Sequence, residues 1–461
     1  MSPTSSKWDL QTELTVLTLR SLMDGDSSTS IGKIQKLTVK DPGVKGRMWV
    51  SRVTIPAPPE DHLRQVLFKA IDEMKDSLED AYTKPELASI EAEWTGFNTA
   101  AHNETPEPRI SEEEKYASLM ADPSRTSNTT VLYFHGGAYY LCDPATHRVI
   151  CSRLAKEACG RVLSVRYRLA PQSAFPTQLL DAFMVYLSLL YPPGSSLHEA
   201  VPATDIVFAG DSAGGNLSFA LLQLLLQLHR TKPAGQANPR IRFHGREVDV
   251  PLPAGVTATS GWFDITRSMP SLQTNAQYDY LPPPTPGNEV QKIAHDDIWP
   301  TVPPRGDTFC DLSMLCHALV SPLAVKSWDG APPLWLNSGE EMLSDEHTIV
   351  AARAAQQGVR VTWEQYEAMP HVFQMLLDRL EGSKRCMRSW GEFCRKCVER
   401  PEELSTNGKR IEPKTLKETT VDVTKLASLE YEDAVKKMHE AKRRRVEGWE
   451  KEAKALPIPN V

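Results

Sequence analysis

The run Asp205-Ile206-Val207-Phe208-Ala209-Gly210-Asp211-Ser212-Ala213-Gly214 changes character twice over a short distance. Its first half, apolar and partly β-branched, reads as a buried strand. The residues that follow, Gly214 to His229, carry the leucine-rich pattern of a helix. A chain that leaves a strand and enters a helix so abruptly must turn sharply, and the glycines at 210 and 214 relieve the crowding around Ser212. The turn lifts the Ser212 hydroxyl out of the sheet, and the N-terminus of the next helix stabilises nearby negative charge. Strand, G-x-S-x-G and helix in that order are the context of a nucleophile elbow.

On both sides of this run, short β-rich segments alternate with helical ones. Val131 to Phe134, Arg161 to Val165, Val256 to Ala258, Leu334 to Leu336 and Val359 to Trp363 read as further strands. Arg148 to Ala158 and Gln178 to Leu190 read as helices. This rhythm predicts an α/β protein with a mostly parallel central sheet flanked by helices on both faces. Two stretches interrupt it, 231–253 and the proline-rich 267–311. Loops of that length inside a compact domain are functional or mobile as a rule. Residues 1–130 are polar and helix-leaning, with helical spacing at Leu63, Val66, Leu67, Ala70, Ile71 and Met74. Residues 401–461 are dense in mixed charge, and Tyr431 to Leu456 reads as an exposed helix. The expected division is a helical cap or extension at 1–130, a catalytic domain at 131–400 and a charged helical tail at 401–461.

The chain has 461 residues, 41% of them hydrophobic and 24% charged, with a formal net charge of −7. These values argue against global disorder and against a nucleic-acid-coating protein. No stretch approaches the roughly 20 apolar residues of a membrane span; Leu217 to Leu228 is broken by Ser218, Gln223 and Gln227. Eight cysteines in so long a chain do not make a disulfide framework. The start, Met1 to Asp24, lacks the features of a secretory signal. The expectation is a reduced, cytoplasmic protein. On that expectation the acceptor patterns at Asn103, Asn128 and Asn216 have no use.

Upstream of the elbow, His135-Gly136-Gly137-Ala138 follows the strand Val131 to Phe134. Acyl transfer builds an oxyanion that needs preorganised N–H donors, each worth about 3–4 kcal/mol of barrier. Gly136, Gly137 and Ala213 are the expected donors. A base must follow the serine, and His371, in Met369-Pro370-His371-Val372-Phe373, follows the last expected strand. The carboxylate that orients it belongs in the loop after Leu334 to Leu336, where Glu340, Glu341, Asp345 and Glu346 compete.

Together with Tyr167-Arg168-Leu169-Ala170-Pro171, Gly210 to Leu217 and Ser321-Pro322-Leu323, these motifs resemble the hormone-sensitive-lipase-like branch of the α/β-hydrolases, the α/β-hydrolase-3 carboxylesterases, over roughly 131–380. In that family the acid is the first residue of Asp-Pro-Leu-x-Asp-Glu. The matching segment here is Glu341-Met342-Leu343-Ser344-Asp345-Glu346, so the resemblance implies Ser212, Glu341 and His371 as the triad, with Asp345 and then Glu340 as alternative acids. Gln172 stands where the family has an acidic residue after Ala-Pro. The resemblance further implies a cap over the serine, built from N-terminal residues. The insertion 267–311, with Tyr278, Tyr280 and Trp299, is expected to add to the pocket wall. The implied substrate is a small-molecule ester with a short or medium acyl group. Rivals are an amidase or formamidase with the same triad, and a ligand-binding receptor on the same fold. No phosphate loop, dinucleotide fingerprint or metal-ligand cluster is legible, so neither cofactor nor metal is expected. Cys394-Arg395-Lys396-Cys397 lacks a second pair and reads as ordinary thiols. Lys442-Arg443-Arg444-Arg445, preceded by Lys436-Lys437, reads as one face of a solvated charged helix rather than a nuclear address, and no nucleic-acid partner is expected.

Overall fold

The computed structural model describes residues 4, 6–23, 29–77, 80–284 and 293–453. Its strands are β1 (Met48–Ile55), β2 (Ile90–Phe97), β3 (Thr130–Phe134), β4 (Arg161–Val165), β5 (Ile206–Asp211), β6 (Arg240–Phe243), β7 (Arg246–Asp249), β8 (Gly255–Thr259), β9 (Leu334–Gly339), β10 (Val361–Tyr366), β11 (Asn407–Ile411) and β12 (Glu418–Val421). Ten of them form one sheet in the order β1-β2-β4-β3-β5-β8-β9-β10-β11-β12. From β4 to β11 neighbouring strands run parallel. The outer pairs β1/β2, β2/β4 and β11/β12 are antiparallel.

The helices are α1 (Leu10–Met23), α2 (Ile31–Thr38), α3 (His62–Glu73), α4 (Glu112–Ala121), α5 (Pro144–Glu157), α6 (Thr177–Leu190), α7 (Ala213–Thr231), α8 (Ser271–Thr274), α9 (Ser344–Gln356), α10 (Phe373–Leu376), α11 (Glu381–Glu399) and α12 (Tyr431–Ala453). Alternate residues of the central strands face opposite layers, as the pleat requires. Leu132, Phe134 and Phe208 pack with α3, α6 and α7 on one face. Val131, Tyr133 and Val207 pack with α5 and α11 on the other, where Trp335 and Trp390 stack with ring centroids 5.5 Å apart. Strands covered on both faces carry continuous apolar runs, which is why β3, β4, β5, β8 and β9 were legible in sequence.

Several expectations need correction. The boundary at 130 does not follow the sheet, because β1 and β2 already belong to it. Their polarity disguised them: Glu93 of β2 is buried in an ion-pair group in which Arg148 of α5 also binds Asp41. The tail is not wholly helical either, since β11 hydrogen-bonds to β10 in parallel and β12 closes that edge. Most side chains of these two strands stay in solvent, so their composition reads as a charged tail. The 231–253 interruption contains the hairpin β6/β7, turned by His244 and Gly245, both at positive φ.

The basic run at 442–445 is solvated only in part, at Arg443 and Arg444. Arg445 pairs with Asp307, and Lys442 with Asp80 and the carbonyl of Ser313, fastening α12 to the body. The thiols of Cys394 and Cys397 are free and buried. The expected end of the last helix at Leu456, and 285–292 of the insertion, lie outside the described residues.

Candidate active site

β5 delivers Ser212 at the centre of the sheet. Its backbone sits at φ 51° and ψ −121°, and it caps the N-terminus of α7. The turn closes because of Gly214, where a β-carbon would stand 1.9 Å from the carbonyl oxygen of Phe134 on the neighbouring strand. Backbone cannot yield there as a side-chain tip would. Gly214→Ala is therefore expected to lower stability by at least about 1–3 kcal/mol, read as a reduced urea midpoint. An unchanged midpoint would mean that the elbow is not as tight as described.

The Ser212 hydroxyl lies 3.0 Å from Nε2 of His371, in position to donate to it. Nδ1 of the same ring donates to Oε2 of Glu341. Both His371 and Glu341 are buried, while Ser212 is half-buried. Oε1 of Glu341 accepts from the Ser260 hydroxyl at 2.5 Å and from the Gly339 N–H at 3.1 Å. Ser260 also accepts from the Val372 N–H at 3.0 Å, linking the acid to the residue after the base. Burial alone would lower the His371 pKa, but the attraction and hydrogen bond of Glu341 outweigh it, and the net direction is upward from 6.5.

Each competing carboxylate is occupied elsewhere. Asp345 accepts from the Ser271 N–H at 2.8 Å, Glu340 from the Ala368 N–H at 2.9 Å, and Glu346 from the Phe263 and Asp264 amides. Part of the insertion supports this side of the site. Asn275 donates to the Glu341 carbonyl at 3.1 Å, Asp279 accepts from the Met342 N–H at 2.9 Å, and the Tyr280 ring centroid lies 6.1 Å from that of His371.

The His135–Ala138 loop differs from the sequence expectation at one position. The Gly136 N–H donates to Oδ1 of Asp211 at 3.0 Å, and the Tyr133 hydroxyl donates to the same oxygen at 2.6 Å. An amide held by a buried carboxylate is not available to an oxyanion, so Gly136 is a brace between this loop and the elbow. Beyond it the backbone takes three successive positive φ values, 108° at Gly137, 51° at Ala138 and 66° at Tyr139. Among the described residues, the Gly137 and Ala138 amides donate to no backbone acceptor. The Ala213 amide, first in α7, has no intrahelical partner. The Ala138 amide is thus free where that of Gly136 is taken. Nothing local to His135-Gly136-Gly137-Ala138 signals this difference, because the Asp211 carboxylate that consumes the first amide comes from β5, which adjoins β3 in the sheet but lies far along the chain.

His135 is stacked on Tyr167, and burial, its main influence, pushes its pKa down to about 3, so it stays neutral. Tyr139 stacks on Phe309 with centroids 3.8 Å apart and donates to Asn216. Ser260 was missed in sequence, since Thr259-Ser260-Gly261 carries no motif. Among the described residues, no group of three His, Cys, Asp or Glu side chains is arranged to hold a metal ion.

Comparison with known proteins agrees with this architecture. An α/β hydrolase fold family model matches residues 131–375. An acetyl-hydrolase of Streptomyces hygroscopicus is 30% identical over 274 residues, covering 59% of this chain and 77% of the relative. An esterase of Acinetobacter venetianus is 28% identical over 265 residues, covering 57% and 73%. The crystal structure of an esterase from the bacterial hormone-sensitive lipase family superposes with a TM-score of 0.52 at 22% identity, over 85% of this chain and 99% of that one, which speaks to the fold. The motifs around Ser212, the sheet order and these matches agree: the chain belongs to the α/β hydrolase fold family.

Proposed function

We propose that the protein hydrolyses carboxylic esters with short or medium acyl groups through an acyl-enzyme on Ser212. The observation that carries this reading is the unbroken line from the Ser212 hydroxyl through both nitrogens of His371 to Glu341. Neutral His371 takes the hydroxyl proton at Nε2 as the serine oxygen bonds to the ester carbon. The Gly137, Ala138 and Ala213 amides receive the developing oxyanion. As the tetrahedral species collapses, the bond to the alkoxy oxygen breaks and His371 returns its proton to the departing alcohol. Water then repeats the sequence and frees the acid. Glu341 stabilises the imidazolium formed in between. Relatives described as an acetyl-hydrolase and as esterases support the substrate class.

A chain-length series of nitrophenyl esters tests the reading, run beside a fluorophosphonate probe on wild type and Ser212→Ala. The expected result is turnover highest for short and medium acyl chains, with the probe labelling wild type only. Turnover confined to N-formyl or N-acyl compounds would favour an amidase or formamidase. No labelling and no turnover would favour a receptor.

The acid limb of kcat/KM follows from the same geometry. Only neutral His371 acts as base, so activity rises with pH through a midpoint expected above 6.5, in line with the raised pKa. Stability runs the other way. The protonated His371–Glu341 pair stabilises the fold fully below the unfolded imidazole's pKa, and that contribution is lost as pH rises through the folded value. A pH–rate profile with its acid limb centred below 6.5 would mean that burial outweighs Glu341 in setting the His371 pKa.

A further inference from the structure

α12 adds no strand to the sheet and no residue to the triad, yet one of its faces leads to the serine site. Met438, Lys442, Arg445 and Trp449 recur at helical spacing, so they share that face. Met438 is buried, and Lys442 and Arg445 are the two basic residues paired with Asp80 and Asp307. Arg445 also donates to the Ile265 carbonyl at 3.2 Å. Trp449 closes over Gly306, where a β-carbon would stand 2.8 Å from the indole ring.

What Arg445 holds is the turn that carries Phe309. Asp307 meets Arg445 through Oδ2, while its Oδ1 accepts from the amides of Phe309 at 2.8 Å and Cys310 at 3.3 Å. Each side chain of the pair keeps 12% of its surface, and removing one partner of so buried a pair strands the charge of the other. Phe309 is itself buried, and its ring lies flat on that of Tyr139, with 4° between the planes and 3.8 Å between centroids. Tyr139 directly follows Ala138 and has the last of the three positive φ values in that loop. Its other holds are at the ring edge and the backbone: the hydroxyl donates to Asn216 at 2.8 Å, and the carbonyl accepts from the Ala170 N–H at 2.9 Å. Phe309 supplies the contact on the ring face. A backbone in sparsely populated φ regions stays there only where its surroundings over-determine it, and Phe309 is one of those constraints.

We propose that Arg445 is a positioning residue for the loop that carries the Gly137 and Ala138 amides, acting through Asp307 and Phe309 on Tyr139. α12 thereby fixes, from outside the sheet, the direction in which those amides point. The proposal rests on the ester-hydrolase reading and adds what holds its oxyanion donors in place.

The test compares wild type, Arg445→Met, Phe309→Leu and the double variant in the full chain, with the exposed Arg443→Met as control. Each is followed by nitrophenyl acetate hydrolysis and by the rate and extent of fluorophosphonate labelling. The extent counts intact sites. The rate per site reports on the amides, because attack on phosphorus also places a developing negative oxygen against them. A misplacement of 1 Å costs about a hundredfold, and Arg445→Met, which shifts the loop by less, is expected to lower kcat and labelling rate per site by about tenfold with KM little changed. Phe309→Leu should lose about as much, and the double variant no more than Phe309→Leu alone, since Arg445 acts through that ring. Arg443→Met should match wild type. Wild-type rates per site in Arg445→Met, or losses that multiply in the double variant, would overturn the positioning role. So would a fall confined to the extent of labelling, the mark of a residue that serves stability alone. Should Arg445→Met leave no labelled protein, Arg445→Lys, which keeps the charge without the planar fork, is expected to show a smaller loss that vanishes in the Phe309→Leu background; wild-type rates in it would overturn the role. Wild type that labels without hydrolysing any ester would sink the hydrolase reading alone, and the labelling rates would still decide on Arg445. Wild type that does neither would sink both.

Discussion

Ser212→Ala is expected to lower kcat/KM on a nitrophenyl ester by on the order of 10⁶-fold while leaving the urea midpoint near that of wild type. Only Oγ is removed. The positive φ at 212 belongs to the backbone and persists, held by the Ser212 N–H donating to the Thr259 carbonyl at 3.1 Å and its carbonyl accepting from the Trp262 N–H at 3.0 Å. Glu341 keeps its hold on His371, so the variant loses the nucleophile without losing the site. The residual rate reports what the free amides and substrate binding achieve with water alone. Initial rates, corrected for contaminating wild type by probe labelling, decide the matter. A loss below about a hundredfold would place the nucleophile elsewhere.

The second large effect belongs to the acid. Glu341→Gln is expected to cost about 10⁴-fold in kcat, because an amide of the same size no longer holds Nδ1–H and Nε2 lone pair in the working arrangement. Loss of the carboxylate's charge also removes the attraction that raises the His371 pKa, so the acid limb should move to lower pH. The shift separates an electrostatic role from a merely structural one. Asp345→Asn is the matched control. Its carboxylate serves the Ser271 amide, and its rate should stay close to wild type. If Asp345→Asn proved the slower of the two, the acid would be reassigned to Asp345. Glutamate carries one methylene more than the aspartate usual in this family. Here the longer arm reaches Nδ1 while its second oxygen is tied to Ser260 and Gly339.

The parallel strands could be read from sequence because burial on both faces demands uninterrupted apolar residues, as in Val131 to Phe134 and Ile206 to Ala209. The edge strands could not. Glu93 sits in β2 with 3% of its surface exposed because Arg148 arrives from α5 to neutralise it, and no local pattern announces an ion pair between such distant residues. Asn407 to Ile411 is hydrophilic for the opposite reason: three of its five residues are not buried, and its place is set by backbone hydrogen bonds to β10. The same distinction separates Ser212 and His371, carried by motifs in chain order, from Ser260, whose value lies in two hydrogen bonds to groups far along the chain.

Read alone, the sequence determined the order of the candidate groups along the chain: the glycine-rich loop, the serine in its elbow, the acidic loop, then the histidine. These were legible because a sharp turn, a strand and an apolar helix each impose a local composition. Which carboxylate meets His371, and which amides are left free once Asp211 has taken that of Gly136, only the folded chain decided. Those outcomes depend on which donors and acceptors the packed sheet brings within about 3 Å of one another, a matter of distance in space that spacing along the chain does not encode.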